Sequence, residues 1–139
     1  MRPLTFEISG RVASAKNSSK RFKAGTRTIT VKSDAAQAWH AHAVAELLQQ
    51  RPIMRPIDTP VSVTIQFHGP IAHPHSVDGD NGEGAIYDAL RKAQILADDK
   101  PAILRRGTWE WLQAPTWKVV LTLSPYARAG VDLSREAAS

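Results

Sequence analysis

Apolar residues recur along this chain at two spacings, and each spacing predicts one kind of secondary structure. Alternation of apolar and polar positions, most regular in Val61–Phe67, predicts half-buried strands. We expect further strands over Leu4–Ser9, Thr28–Val31, Ile103–Trp111 and Trp117–Leu123. Apolar residues three or four positions apart predict helices over residues 34–50 and 81–97, and the polar residues 10–26 predict a long loop.

This order of elements, β-β-α-β-α-β-β, predicts an α+β fold in which two helices accompany a mixed sheet of four to five strands. The first helix would bury one face, formed by Ala36, Trp39, Ala43 and Leu47. With 139 residues, the chain has the size of one domain. We expect that domain over residues 1–125 and a flexible C-terminal tail over residues 126–139.

The composition excludes several classes of site. The chain contains no cysteine, which excludes a disulfide scaffold, a thiolate metal site and a cysteine nucleophile. No apolar run approaches the roughly 18 residues that span a bilayer, and the first residues lack the apolar segment of a signal peptide. We therefore expect no membrane contact and a cytoplasmic location. The sequence has no glycine-rich loop of the ATP-binding type, so we expect no nucleotide cofactor.

The charges are segregated along the chain, although the net charge is only +5. Residues 11–32 contain seven basic residues and no acid, whereas residues 78–99 contain six acids and two bases. A basic segment of this kind is typical of contact with nucleic acid. Clustered acids repel one another unless they are spread apart or share a cation.

The acidic segment begins with Asp78-Gly79-Asp80-Asn81-Gly82, between a strand and a helix. If this segment is extended, Asp78 and Asp80 point the same way and suit a hard divalent cation. The alternative is a turn followed by an aspartate helix cap, because Asp, Asn and Gly are common turn residues. A calcium-binding EF-hand is excluded, since the fifth, sixth and twelfth positions from Asp78 hold Gly82, Glu83 and Ala89.

The residues from Asp78 to Asp99 resemble, without a gap, the signature of the RusA family of Holliday junction resolvases. The likeness consists of an Asp-x-Asp-Asn start, Asp-Ala-Leu within the helix, and the pair Asp98-Asp99 after it. A weaker likeness lies in Ser14–Asn17, and the resemblance extends over residues 3–125.

The resemblance implies a homodimer that binds branched DNA and cuts a four-way junction by paired nicks, with Mg²⁺ as cofactor and Mn²⁺ as a possible substitute. It implies Asp78, Asp80 and Asp99 as the catalytic, metal-binding residues, with Asp98 beside them. Together with the charge, it indicates DNA binding by residues of the basic segment: Lys16, Asn17, Lys20, Arg21, Lys23 and Arg27. One position departs from the family pattern, because Gly84 stands where the family carries a functional lysine. This leaves two alternatives to a full resolvase: a junction-binding protein with weak or lost cleavage, and a basic fold whose acids are only turns and caps.

The helix between the two acidic groups creates a problem of distance. A helix from Asn81 to Gln94 is about 21 Å long, so Asp99 begins far from Asp80. Either the chain turns back along the helix, or a second subunit supplies Asp98 or Asp99 through antiparallel helices about a two-fold axis.

The aromatic residues of the last two strands have two interpretations. Trp109 and Trp111 share one strand face, and Trp117 is expected to pack across from them. Packing in the core or in a dimer is the favoured interpretation, and a platform for stacking bases is the alternative. Phe22, within the basic segment, has the same two alternatives: a wedge between bases or a contact with the core.

Overall fold

A computed structural model describes residues 2–12, 19–24, 27–32, 34–72 and 78–127, with only the backbone described for residues 19–24, 27–32 and 78–81. In chain order the elements are β1 (Leu4–Ser9), β2 (Ser19–Ala24), β3 (Arg27–Lys32), α1 (Asp34–Gln50), β4 (Val61–Gly69), α2 (Asp78–Lys92), β5 (Leu104–Gln113) and β6 (Lys118–Pro125). The strand β6 ends at the residue predicted to close the domain. Most of the predicted tail, residues 128–139, lies outside the described part of the chain. None of the helices in the described ranges is long and apolar enough to cross a membrane.

The α+β fold is confirmed, and its main sheet has four strands in the order β1-β6-β4-β5. Strands β4 and β5 are parallel, and the other two pairings are antiparallel, so the sheet is mixed as predicted. The predicted loop over residues 10–26 is wrong over Ser19–Ala24, where β2 pairs with β3 in a separate antiparallel hairpin. The alternation signal is weak there because β2 reads Ser-Lys-Arg-Phe-Lys-Ala, with one large apolar residue.

The helix α2 connects the two parallel strands β4 and β5. A parallel pair needs a crossover, and the helix must run back from the end of β4 to the beginning of β5. The first residue of α2 therefore lies at the C-terminal end of both strands, and its last residue lies at their N-terminal end. This topology decides where the acidic residues lie.

The core lies between the helices and one face of the sheet. Strict alternation along β4 buries Val61, Val63, Ile65 and Phe67. The predicted face of α1 is confirmed, since its four buried residues are Ala36, Trp39, Ala43 and Leu47. Burying a large aliphatic side chain contributes about 1.5–3 kcal/mol, so these two patterns fix which faces of the strand and helix meet.

The helix α2 ends in a Schellman motif, and this end was predicted too late, at residue 97. Gln94 has a positive φ of 60°. The Ile95 N–H donates to the Leu90 carbonyl at 3.0 Å, and the Gln94 N–H donates to the Arg91 carbonyl at 3.1 Å. The chain then pairs with the core through a parallel bridge between Ile57 and Leu96.

Two glycines provide a matched test of packing. A Cβ atom on Gly69 would lie 2.5 Å from the Trp117 ring, whereas a Cβ on Gly84 would meet nothing within 4 Å. We expect Gly69→Ala to lower the free energy of unfolding by about 1–3 kcal/mol, because rigid rings must move. We expect Gly84→Ala to raise it by up to about 1 kcal/mol, because alanine favours a helix. Urea denaturation of both variants measures the two effects, and equal changes would contradict the described packing at Gly69.

Candidate active site

The first acidic pair lies in the first turn of α2. The helix begins at Asp78, three residues before the predicted start, so Asp78 and Asp80 are in helical and not in extended backbone. The predicted extended segment is therefore wrong at these two residues, and positions two apart in a helix are not neighbours on one face. The pair remains at the end of the sheet where β4 and β5 finish. Acidic residues are electrostatically favourable in the first turn of a helix, because the helix dipole is positive at that end.

The second acidic pair, Asp98 and Asp99, follows directly after the Ile57–Leu96 bridge. The Asp99 backbone N–H donates to Asp98 Oδ1 at 2.7 Å, and Lys100 Nζ lies 3.6 Å from Asp98 Oδ2. The hydrogen bond from Asp99, helped by the charge of Lys100, lowers the pKa of Asp98. Asp98 is therefore a carboxylate at neutral pH, and Asp99 beside it is exposed.

The two acidic pairs lie at opposite ends of α2 within one chain. The helix has 15 residues, which corresponds to about 22 Å. Arg91 lies in the last turn of this helix, and Asp88 first, then Asp99 and Asp98, raise its pKa. Among the residues whose side chains are described, no three His, Asp or Glu side chains form a group that would hold a metal. The backbone of α2 therefore separates the two acidic pairs by about the length of this helix.

The two glycines near the start of α2 have different surroundings. Gly82 is buried, and a Cβ there would lie 3.1 Å from the Phe67 ring, so it lets α2 approach β4 closely. Gly84 is exposed with open space around it. A longer side chain would fit at Gly84, the position where the resemblance expects a lysine.

Glu83 and Tyr87 connect α2 to β5. The Tyr87 hydroxyl donates to Glu83 Oε1, and burial followed by this contact with Glu83 raises the pKa of Tyr87. A Cβ on Gly107 of β5 would overlap the Tyr87 hydroxyl, so that glycine allows the contact. The Glu83 carboxylate is therefore engaged within the fold.

Asp88, in the middle of the acidic segment, is also engaged within the fold. Its carboxylate pairs with Arg91 at 2.8 Å and with His40 of α1 at 3.4 Å. The family-like Asp-Ala-Leu therefore ties α2 to α1. Because it holds two helices together, Asp88 is a suitable structural control for the other aspartates.

The basic segment forms the β2–β3 hairpin over part of its length. Arg21 lies opposite Thr30, Phe22 opposite Ile29 and Lys23 opposite Thr28. The predicted DNA-binding residues Lys20 and Arg27 belong to the same hairpin, whereas Lys16 and Asn17 lie outside the described residues. The hairpin gives several cations a common frame, which is the feature that contact with a phosphate backbone requires.

An aromatic groove lies at the same end of the sheet as the start of α2. The sequence predicted only part of it. Trp111 and Trp117 meet edge to face with ring centroids 5.9 Å apart, as predicted. The Arg11 guanidinium lies 4.4 Å from the Trp117 ring centroid. The groove also includes Trp109 and His68, whose buried Nε2 has no hydrogen-bond partner within the described part of the chain. Arg11 belongs to the basic segment, but no sequence signal indicated its contact with Trp117 or the place of His68 in this groove.

Comparison with protein families decides the assignment. The family model described as Endodeoxyribonuclease RusA matches residues 11–116, which is more than half of the chain. The chain belongs to the RusA family. A search of curated proteins finds no match. Family membership makes the chain an endodeoxyribonuclease of the kind that acts on Holliday junctions, and RusA nucleases generally depend on a divalent metal.

Proposed function

We propose that this RusA-family protein is a Mg²⁺-dependent homodimer that resolves four-way DNA junctions by paired nicks. The observation that carries the proposal is the grouping of four aspartates at the two ends of one helix, in a chain of a junction-nuclease family. The proposed site residues are Asp78, Asp80 and Asp99, with Asp98 assisting. DNA in the cytoplasm is the proposed substrate, without a nucleotide cofactor.

The aspartates fit a hard divalent cation in their chemistry. Carboxylate oxygens are the donors that Mg²⁺ prefers, and Mn²⁺ accepts the same ligands. When bound, the metal would lower the pKa of a water and neutralise the scissile phosphate. Asp98 Oδ1 accepts a hydrogen bond from the Asp99 N–H, which stabilises the turn. Because this oxygen is already engaged, the contact supports a secondary role for Asp98.

The fit requires two chains, because the acidic pairs of one chain are separated by the length of α2. In a dimer with antiparallel α2 helices, the end of one helix meets the beginning of the other. Each of two equivalent sites would then take Asp78 and Asp80 from one chain and Asp98 and Asp99 from its partner. Two sites related by a two-fold axis also suit the symmetry of paired nicks.

The basic residues would hold the junction without reading its sequence. Each phosphate neutralised adds about −0.9 to the slope of log affinity against log salt for duplex DNA. The proposed contacts come from the arm and the β2–β3 hairpin: Lys16, Asn17, Lys20, Arg21, Lys23 and Arg27. They offset the repulsion between the acids and the DNA backbone, which Mg²⁺ also reduces.

One assay tests the proposed function. Labelled four-way junction and linear duplex of the same sequence are incubated with the protein, each with Mg²⁺ and with chelator. We expect symmetrical nicks in the junction alone, only with Mg²⁺. Cleavage that continues with chelator would contradict metal dependence, and equal binding of junction and duplex would leave a basic fold without junction specificity.

A second candidate function is junction binding with weak cleavage, and Gly84 favours it. No cation stands at this exposed position. A lysine there would stabilise negative charge that develops on the phosphate. In this case the junction assay gives tight binding and few nicks.

The variant Gly84→Lys separates the two candidates. We expect it to cut the junction at least about tenfold faster than the natural protein, because single charge-stabilising donors contribute factors of this order or larger. The control is Gly84→Ala, which makes the same change in helix propensity without the charge. If the lysine variant cuts no faster than the alanine variant, Gly84 does not limit the reaction.

A further inference from the structure

The two edges of the main sheet differ in how their backbone groups are satisfied. At the β1 edge, Gln50 of α1 accepts from the Glu7 N–H at 2.8 Å and donates to the Glu7 carbonyl at 2.6 Å. Glu46 accepts from the Ser9 N–H at 2.8 Å. Side chains of α1 therefore occupy the outer edge of β1, and that edge offers little to a further strand.

No residue in the described part of the chain covers the β5 edge in this way. Strand β5 has 10 residues, and six in succession, residues 105–110, are exposed. Within the described ranges, no side chain or backbone group bonds to the outer edge of β5. A long strand with a free edge is a template for pairing with another strand.

The sequence of β5 is complementary to itself in one antiparallel register. A two-fold axis perpendicular to the sheet at Thr108 places Arg106 of each copy opposite Glu110 of the other. The pairing therefore contains this charge pair two times. Glu110 lies on the sheet face that also carries Gln66, which donates to it at 3.0 Å. Arg106 has no ion-pair partner among the described residues, and its alternation with Glu110 puts it on the same face. Opposite charges at directly opposed positions stabilise strand pairs.

The other face of β5 agrees with the same register. Trp109 is 37% exposed and contacts Phe67 edge to face. In this register Trp109 lies opposite Gly107 of the second copy, where the Tyr87 hydroxyl of that copy occupies the space that a side chain at Gly107 would take. Pairing therefore buries an exposed tryptophan.

We infer that β5 of two copies pairs antiparallel about Thr108, so that the two main sheets form one continuous sheet. The second copy is favoured over another protein because the charges of β5, Arg106 and Glu110, match each other across this register. The inference rests on the proposed function in one respect, which is that two chains share each metal site. Antiparallel pairing brings the beginning of one β5 beside the end of the other. Asp98 and Asp99 of one copy then lie at the same end as Asp78 and Asp80 of the other.

Cysteine cross-linking tests the pairing directly, because the natural chain contains no cysteine. In the proposed dimer the two Thr108 residues face each other, with Cβ atoms about 5 Å apart. We expect Thr108→Cys to form a covalent dimer readily under mild oxidation. The control is Thr64→Cys, since Thr64 pairs with Thr108 on the next strand inward and is also exposed. Three strand spacings, about 14 Å, would separate its two copies. Equal cross-linking of the two variants, or none at Thr108, would overturn the inference.

Charge exchange tests the register. By sedimentation equilibrium we expect Arg106→Glu and Glu110→Arg each to weaken dimerisation at least tenfold, and the double exchange to restore it. Arg2→Glu, at an exposed position beside the opposite sheet edge, should leave it unchanged. Single variants that dimerise as well as the natural chain, or a double variant that stays weak, would overturn this register. A dimer that pairs through β5 but does not cut junctions would contradict only the proposed function. An active dimer whose stability does not change with the substitutions at Arg106 and Glu110 would contradict only this inference.

Discussion

Replacing Asp80 by asparagine is expected to reduce cleavage of a four-way junction by at least about a hundredfold while leaving junction binding nearly unchanged. Changes that only support a metal ligand already cost about 10- to 100-fold, and loss of the ligand itself should cost at least as much. The measurement is single-turnover cleavage of labelled junction with Mg²⁺, together with a binding titration in chelator.

The matched control is Asp88→Asn on the same helix. Asp88 pairs with His40 and Arg91, so its replacement should cost about 0–1 kcal/mol of stability but little cleavage. Asp80→Asn should itself cost only about 0.3–1 kcal/mol through the helix dipole. If both variants lose cleavage activity equally, the cause is destabilisation of α2 and not the loss of a metal ligand. If neither loses it, the metal is not held at the start of the helix.

Mixing two inactive variants is expected to restore cleavage. Asp80→Asn and Asp99→Asn should each be inactive alone. In a mixed dimer with shared sites, one site carries both changes and the other carries neither. An equimolar mixture that exchanges subunits should therefore recover about a quarter of the natural number of active sites.

The recovered activity should also differ in kind. A mixed dimer has one working site, so it should give single nicks and not paired ones. The test compares the mixture with each variant at the same total concentration and separates nicked junctions from resolved ones. No recovery after verified subunit exchange would mean that each site is built within one chain, which would contradict the shared-site proposal.

Much of the fold follows from local patterns in the sequence. The helix α1 begins and ends where the 3.6-residue pattern predicted, and its four apolar positions are the ones that it buries. In β4 the predicted apolar face is also correct, because one side of that strand is packed and the other is polar. Where one periodicity decides burial, the sequence is sufficient.

The exceptions have physical causes. The start of α2 reads as a turn because Asp, Gly and Asn favour turns, yet the crossover between parallel strands extends the helix over them. The helix ends at Lys92, shortly before Gln94, a non-glycine residue in the left-handed conformation, and no local signal indicated this end. The candidate acids follow from a family resemblance. The sequence predicts that a helix separates the two pairs, but it does not show that the sheet fixes them at opposite ends of α2.

The Ile57–Leu96 bridge gives the second acidic pair a property that matters for metal affinity. The Ala97 N–H donates to the Ile57 carbonyl at 2.9 Å, one residue before Asp98. The backbone next to these acids is thus hydrogen-bonded to the interior once the chain has folded. Binding of an ion would therefore not carry the entropic cost of ordering a flexible loop. If these acids hold the proposed Mg²⁺, this preorganisation connects the hydrophobic interior with the ion, and a substitution at Ile57 should weaken Mg²⁺ binding without removing a ligand.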